Sequence, residues 1–226
     1  GLQLRWNTGP LIRSQMFQGT GEALMNKLAK LGTVLIALAL AATVTGCSTA
    51  EQESEKASPS EVAPLYLEAM RGNVAGLKEY NPDTELTEEG VFGSANTSFL
   101  ETLGVSATAE QEAQLTEAML AGLSKVEYTI IDEQVDGENA TVTVALRGLD
   151  LSSSLETQFA TIGGRMTDDT DDKTVVAIVD KAWRKAPLVA EPTEVEMPFI
   201  AVSDGRWIAD PQGTAAYSSA YVKLGG

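Results

Sequence analysis

Val62, Leu65, Tyr66, Ala69 and Met70 recur at i, i+3, i+4, i+7 and i+8, the stripe of an amphipathic helix. Ser58-Pro59-Ser60-Glu61 just ahead supplies a capping serine and a proline suited to a first turn. Pro64 pulls the other way: an interior proline removes a backbone donor, which would place the start nearer Ala63. Gly72 ends this helix, and a short second one from Asn73 carries Val74, Leu77 and Tyr80 as far as Asn81-Pro82-Asp83. Residues 84–105 carry little pattern and suggest one helical turn around Phe99 and Leu100. Thr108-Ala-Glu-Gln111 then has the form of a capping box, followed by a stripe at Leu115, Ala118, Met119, Gly122 and Leu123.

At that point the period changes to two. Val126, Tyr128 and Ile130 alternate with polar residues, Asp136-Gly137 marks a turn, and Ala140, Val142, Val144 and Leu146 alternate in return, which predicts a hairpin. Residues 151–166 permit a helix through Leu155, Phe159 and Ile162, closed by Gly163-Gly164. A further helix follows the acidic run Asp168–Asp172, with its stripe at Val175, Ile178, Val179, Ala182 and Trp183 and its end at Pro187. Acids at its start and Lys181, Arg184 and Lys185 at its end both suit the helix dipole. A second hairpin runs from about Glu194 to Val202, turns at Ser203-Asp204-Gly205 and returns through Arg206 to Asp210. The tail with Tyr217 and Tyr221 is expected to pack back as a short helix. Helices first, then hairpins interrupted by helices, give an α+β fold with helices packed on an antiparallel sheet.

Upstream of this domain the pattern is different. From Met25 the chain reads Met-Asn-Lys-Leu-Ala-Lys, then an apolar run from Val34 to Ala42, then Val44-Thr45-Gly46-Cys47. A basic start, a short apolar run and a small-residue cleavage motif form a secretory signal peptide. The apolar run is too short to span a bilayer, which takes roughly 20 residues. Val-Thr-Gly-Cys resembles the lipobox of bacterial lipoproteins. That resemblance implies cleavage between Gly46 and Cys47, diacylglycerol on the Cys47 thiol, and a protein held on the outer face of the cell membrane. Residues 1–24 read as translated upstream sequence with Met25 as initiator, a pro-segment being the alternative. The expected organisation is thus 1–24 upstream, 25–46 signal peptide, 47–58 lipidated cysteine and flexible tether, and 59–226 exported domain.

Composition narrows the chemistry. The 226 residues contain no histidine and a single cysteine, Cys47. Imidazole bases, serine–histidine–carboxylate triads, disulfides and cysteine-bound metals are therefore closed to the chain. The net charge is −16, and beyond residue 46 there remain 12 basic against 31 acidic side chains, a net −19. Such a surface repels nucleic acid, which requires lysines and arginines to displace counterions. No cofactor is expected.

Three features could carry function, and each has a plainer explanation. The acids of Asp168–Asp172 suit calcium, but they lack an EF-hand's glycine turn and distal glutamate, and a helix-cap role also accounts for them. Tyr66, Tyr128, Trp183 and Trp207 could line a ligand pocket, although aromatics at these spacings are more often core. Asp132 and Tyr128 stand at even spacing, which on a regular strand puts them on one face as a candidate acid pair, yet Asp132 also sits at the strand's polar end.

The opening helix from Val62 to Met70, the hairpin beginning Lys125-Val-Glu-Tyr-Thr-Ile-Ile and the closing Asp204-Gly-Arg-Trp-Ile208 resemble those of Gram-positive lipoproteins with a nuclear-transport-factor-two-like domain. The resemblance implies helices against a curved antiparallel sheet enclosing a cone. With no histidine, no spare thiol, no metal-ligand spacing and no phosphate-cradling glycine loop, the expected role is a non-catalytic binding or interaction module for a protein or small-molecule partner. The alternative is an isomerase- or dehydratase-like enzyme with a carboxylate base in that cone. The helical stretch 151–186 lengthens the usual meander and leaves strand order open.

Overall fold

The computed structural model describes residues 56–82, 92–163, 170–213 and 217–224. Helix α1 spans Pro59–Met70. Ser58 caps it: its Oγ accepts from the Glu61 amide at 3.4 Å while Glu61 Oε2 accepts from the Ser58 amide at 2.7 Å. Pro64 stays inside the helix, so the start lies at Ser58 and not near Ala63. The reciprocal cap and the burial of Val62, Tyr66, Ala69 and Met70 outweigh the one lost backbone donor. Helix α2, Ala75–Tyr80, follows after the break at Gly72.

Where one turn was expected, the chain forms a full helix, α3, Ser94–Leu103. Phe92, Ala95, Phe99, Leu100 and Leu103 all turn inward. The intervening threonines are accommodated because Thr97 and Thr102 donate to the carbonyls of Gly93 and Ser98, one turn back. Helix α4, Ala109–Leu123, has the anticipated capping box between Thr108 and Gln111 and buries all five residues of its stripe.

Strands β1 (Glu127–Asp136) and β2 (Asn139–Arg147) form the anticipated hairpin. Asp136 opposes Asn139, leaving Gly137-Glu138 as a two-residue loop whose first position has φ +62°, a conformation that glycine takes without penalty. Strand β3 (Leu149–Asp150) leads into α5 (Leu151–Ala160) and α6 (Asp172–Lys185). Next come β4 (Thr193–Ala201), β5 (Trp207–Ala209) and β6 (Val222–Lys223). The main sheet has the order β1-β2-β4-β5, antiparallel throughout. The helical insert therefore leaves β2 and β4 adjacent. The tail returns not as a helix alone but as β6, paired in parallel with β3 in a small second sheet.

One face of the main sheet is the core face. Ala140, Val142, Val144, Leu146, Met197 and Phe199 are buried there. Helix α1 lies against β1, β2 and β5, and the Tyr66 ring meets Phe199 edge-on at 5.8 Å. Helices α4, α5 and α6 pack together beside it. The fold is α+β, with helices on a mostly antiparallel sheet.

Candidate functional site

Gly46, Cys47 and the segments 1–24 and 25–46 lie outside the described residues, as do Asp168 and Asp169. The remaining acids of the run serve backbone amides. Asp171 caps α6 by accepting from the Thr174 amide at 2.6 Å, and Asp172 accepts from the Ser106 amide at 3.1 Å. The Thr174 bond holds the Asp171 carboxyl below the ordinary range. Among the described residues, no group of three or more histidine, cysteine or acidic side chains converges to hold a metal ion.

Of the four aromatics, Tyr66 and Trp183 are core residues and Tyr128 and Trp207 are half-buried at its edge. Trp183 sits on α6, and Tyr66 sits on α1 with its ring against Phe199 of the sheet.

Asp132 and Tyr128 do not share a face. Tyr128 opposes Leu146 and Ile130 opposes Val144, both on the core side. A bulge at Ile131 then inserts one unpaired residue, so Asp132 opposes Thr143 while Glu133 opposes Val142. One extra residue reverses the alternation. Asp132 thus points to the outer face of the sheet, and Glu133 turns inward, where its Oε2 accepts from the Ser60 amide at 2.6 Å in the first turn of α1.

The partner of Tyr128 is a different acid. Its hydroxyl donates to Glu68 Oε1 at 2.9 Å, and Arg71 Nη1 donates to the same oxygen at 2.6 Å. Arg71 Nη2 reaches the Ser124 carbonyl at 2.7 Å, and the guanidinium carbon lies 6.0 Å from the centre of the Tyr128 ring. Burial, then the bond to Glu68, pushes the Tyr128 phenol up to about 12. A phenol in that range stays a neutral donor at physiological pH, and Arg71 balances the Glu68 charge. The cluster therefore clamps α1 to β1 and to the end of α4. Its one trace in the sequence is the i, i+3 spacing of Glu68 and Arg71 on a helix.

A second polar group fastens α2 to the closing hairpin. The Tyr80 hydroxyl donates to the Trp207 carbonyl and accepts from its amide, both at 3.0 Å. Arg206 Nη1 donates to the Tyr80 carbonyl at 3.1 Å and Nε to Asp204 Oδ2 at 2.6 Å. Burial works to raise the Asp204 carboxyl, but the bonds and charge from Arg206 outweigh it and hold it low. This places the Asp-Gly-Arg-Trp stretch in a structural clasp.

No family model matches the chain, and no curated protein matches it. Among solved structures it is similar to the "putative lipoprotein" ycdA of Bacillus subtilis, at 15% identity and a TM-score of 0.42. The match covers 60% of this chain and 46% of that protein, less than half its length. Among the described residues no helix is long and apolar enough to cross a membrane.

Proposed function

We propose that this chain is a lipoprotein anchored on the extracytoplasmic face of the cell membrane through diacylglycerol on Cys47, and that residues 59–226 are a non-catalytic binding module. The observation that carries the reading is Val44-Thr45-Gly46-Cys47 placed directly after a basic start and a short apolar run, with Cys47 the chain's single thiol. The position of the first helix supports it. The Ser58 cap leaves ten residues, Ser48–Ala57, between the lipid site and α1. An extended chain of that length reaches at most about 40 Å, so the domain stays close to the bilayer. Two acyl chains on one residue give durable anchoring.

The polar clusters support a binding role over a catalytic one. Glu68, Tyr128 and the two Nη atoms of Arg71 bond to one another and to the backbone, and Tyr80, Asp204 and Arg206 do likewise. We read the domain as nuclear-transport-factor-two-like, with α1 across the sheet and α5 and α6 inserted between β2 and β4. The test is Cys47→Ala expressed in a Gram-positive host fed labelled palmitate. The parent chain should be labelled and membrane-bound, and the variant unlabelled and uncut. Normal labelling of the variant would refute the anchor.

A further inference from the structure

Strand β1 ends the main sheet, and among the described residues no strand pairs with its outer edge. Seven of its ten residues are exposed, which is unusual for a strand whose neighbour β2 buries every second side chain. Ile131 and Val135 are 50% and 53% exposed, and among the described residues they are the exposed large hydrophobics. An unpaired edge with apolar side chains is a template for strand addition.

We propose that the segment Asp132–Asp136 of β1 accepts an extended partner strand in which basic and apolar residues alternate. This names the partner class of the binding module proposed above and rests on that reading. The bulge at Ile131 confines the site to the regular stretch beyond it. On the core side of that stretch, Val135 opens the row Val135–Ala140–Phe199, which an added strand would extend with an apolar residue. On the outer side, Asp132 opens the row Asp132–Thr143–Glu196, which calls for lysine or arginine. Asp136 stands on that same outer side, four pairs further along the ladder.

Charge selects this occupant over two others. A second copy, laid antiparallel, would bring its own Asp132 and Asp136 against these, and like charges across strands repel. The chain's own segments 48–56 and 83–91 carry the same sign as the strand. The first holds Glu51, Glu53 and Glu55 against Lys56, and the second Asp83, Glu85, Glu88 and Glu89 with no basic residue.

The test is hydrogen exchange followed by mass spectrometry on the full chain in detergent micelles. The probe is an alternating Lys–Val peptide of about eight residues, with an alternating Glu–Val peptide as control. With the Lys–Val peptide at about ten times its Kd, exchange over residues 131–136 should slow about tenfold, and added salt should reverse the slowing. An Ile131→Lys, Asp132→Lys double variant, altered only at exposed positions, should lose the protection while keeping its melting temperature and the exchange rates of β2. The edge proposal is overturned by any of four results: no slowing, equal slowing by the Glu–Val peptide, protection confined to another surface, or slowing by raised protein concentration without peptide. Protection on another surface would still leave a binding module, and lipid labelling of Cys47 reads the anchor independently.

Discussion

Tyr221→Phe removes one oxygen from a fully buried ring and tests how the tail is fastened. Near the end of α1 the backbone leaves its helical pattern: the Arg71 amide donates to Glu68, Gly72 to Ala69 and Asn73 again to Glu68. The Leu67 carbonyl, which Arg71 would serve in a continuing helix, instead accepts from the Tyr221 hydroxyl at 2.9 Å. Leu67 and Tyr221 are both 0% exposed, so water cannot replace the lost donor. Phenylalanine keeps the ring and its packing, and the cost is that of a buried acceptor left alone, about 1–3 kcal/mol. Out of a total of about 5–15 kcal/mol, that lowers the melting temperature by roughly 2–10 °C for a domain of this size. Tyr221→Ala adds the cavity and should cost about 3–5 kcal/mol in all. Urea unfolding followed by tryptophan fluorescence reads both, with an unchanged m-value showing that the unfolded state is the same. A Tyr221→Phe chain with the parent's midpoint would refute the reasoning, because it would mean the carbonyl has another partner.

The passage of the chain at Gly148 gives a second prediction. A Cβ there would collide with the Ala220 carbonyl oxygen and sit 2.8 Å from that of Tyr221, so Gly148→Ala should cost about 1–3 kcal/mol or more in urea unfolding. That is a larger loss than for Gly137→Ala, where space is open and only the positive φ, worth about 1 kcal/mol, opposes the change. Trp183, 4% exposed in the core, should lose the full ~3–5 kcal/mol on change to alanine. Trp207, expected from the sequence to be a core ring, is half-buried and should lose less, and equal losses by thermal melting would count against this ranking. Burial raises the phenols of Tyr66, Tyr80 and Tyr221 as well as Tyr128, the last to about 12. A raised folded value means stability is intact below about pH 10 and is lost as pH rises through the folded values, toward about 12 for Tyr128. Asp150 is held low as well, since bonds from Ser153 and Ser152 override the effect of its burial. With Asp171 and Asp204 it contributes stability above about pH 4 that falls away in acid. Urea midpoints from pH 2 to 12 check both limbs, and a flat alkaline limb would contradict the tyrosine account.

The elements readable from the sequence are those whose signals are local and repeated. The Ser58 and Thr108 caps, the stripes of α1, α4 and α6, and the period-two hairpin all state their geometry within a few residues. Helix α3 was less visible because Asn96, Thr97, Ser98 and Thr102 are weak helix formers, so the stripe from Phe92 to Leu103 stood out little. The β3–β6 pair has two residues per strand, too few to show any period. The bulge changed the most for function. The adjacent Ile130 and Ile131 are its one visible sign, yet it separates Asp132 from Tyr128 and turns Glu133 inward. Tyr128, Glu68 and Arg71 lie too far apart in the chain for spacing to join them, and only the packing of α1 on β1 does so.

The anchor is tested most directly by the mass of the mature protein's first residue. Protein extracted from the membrane of a Gram-positive host, digested and measured by mass spectrometry, should yield an N-terminal fragment beginning at Cys47 and carrying diacylglycerol on its sulfur. A fragment that runs through Gly46 into Cys47, or one that begins at Cys47 with an unmodified thiol, would contradict the account.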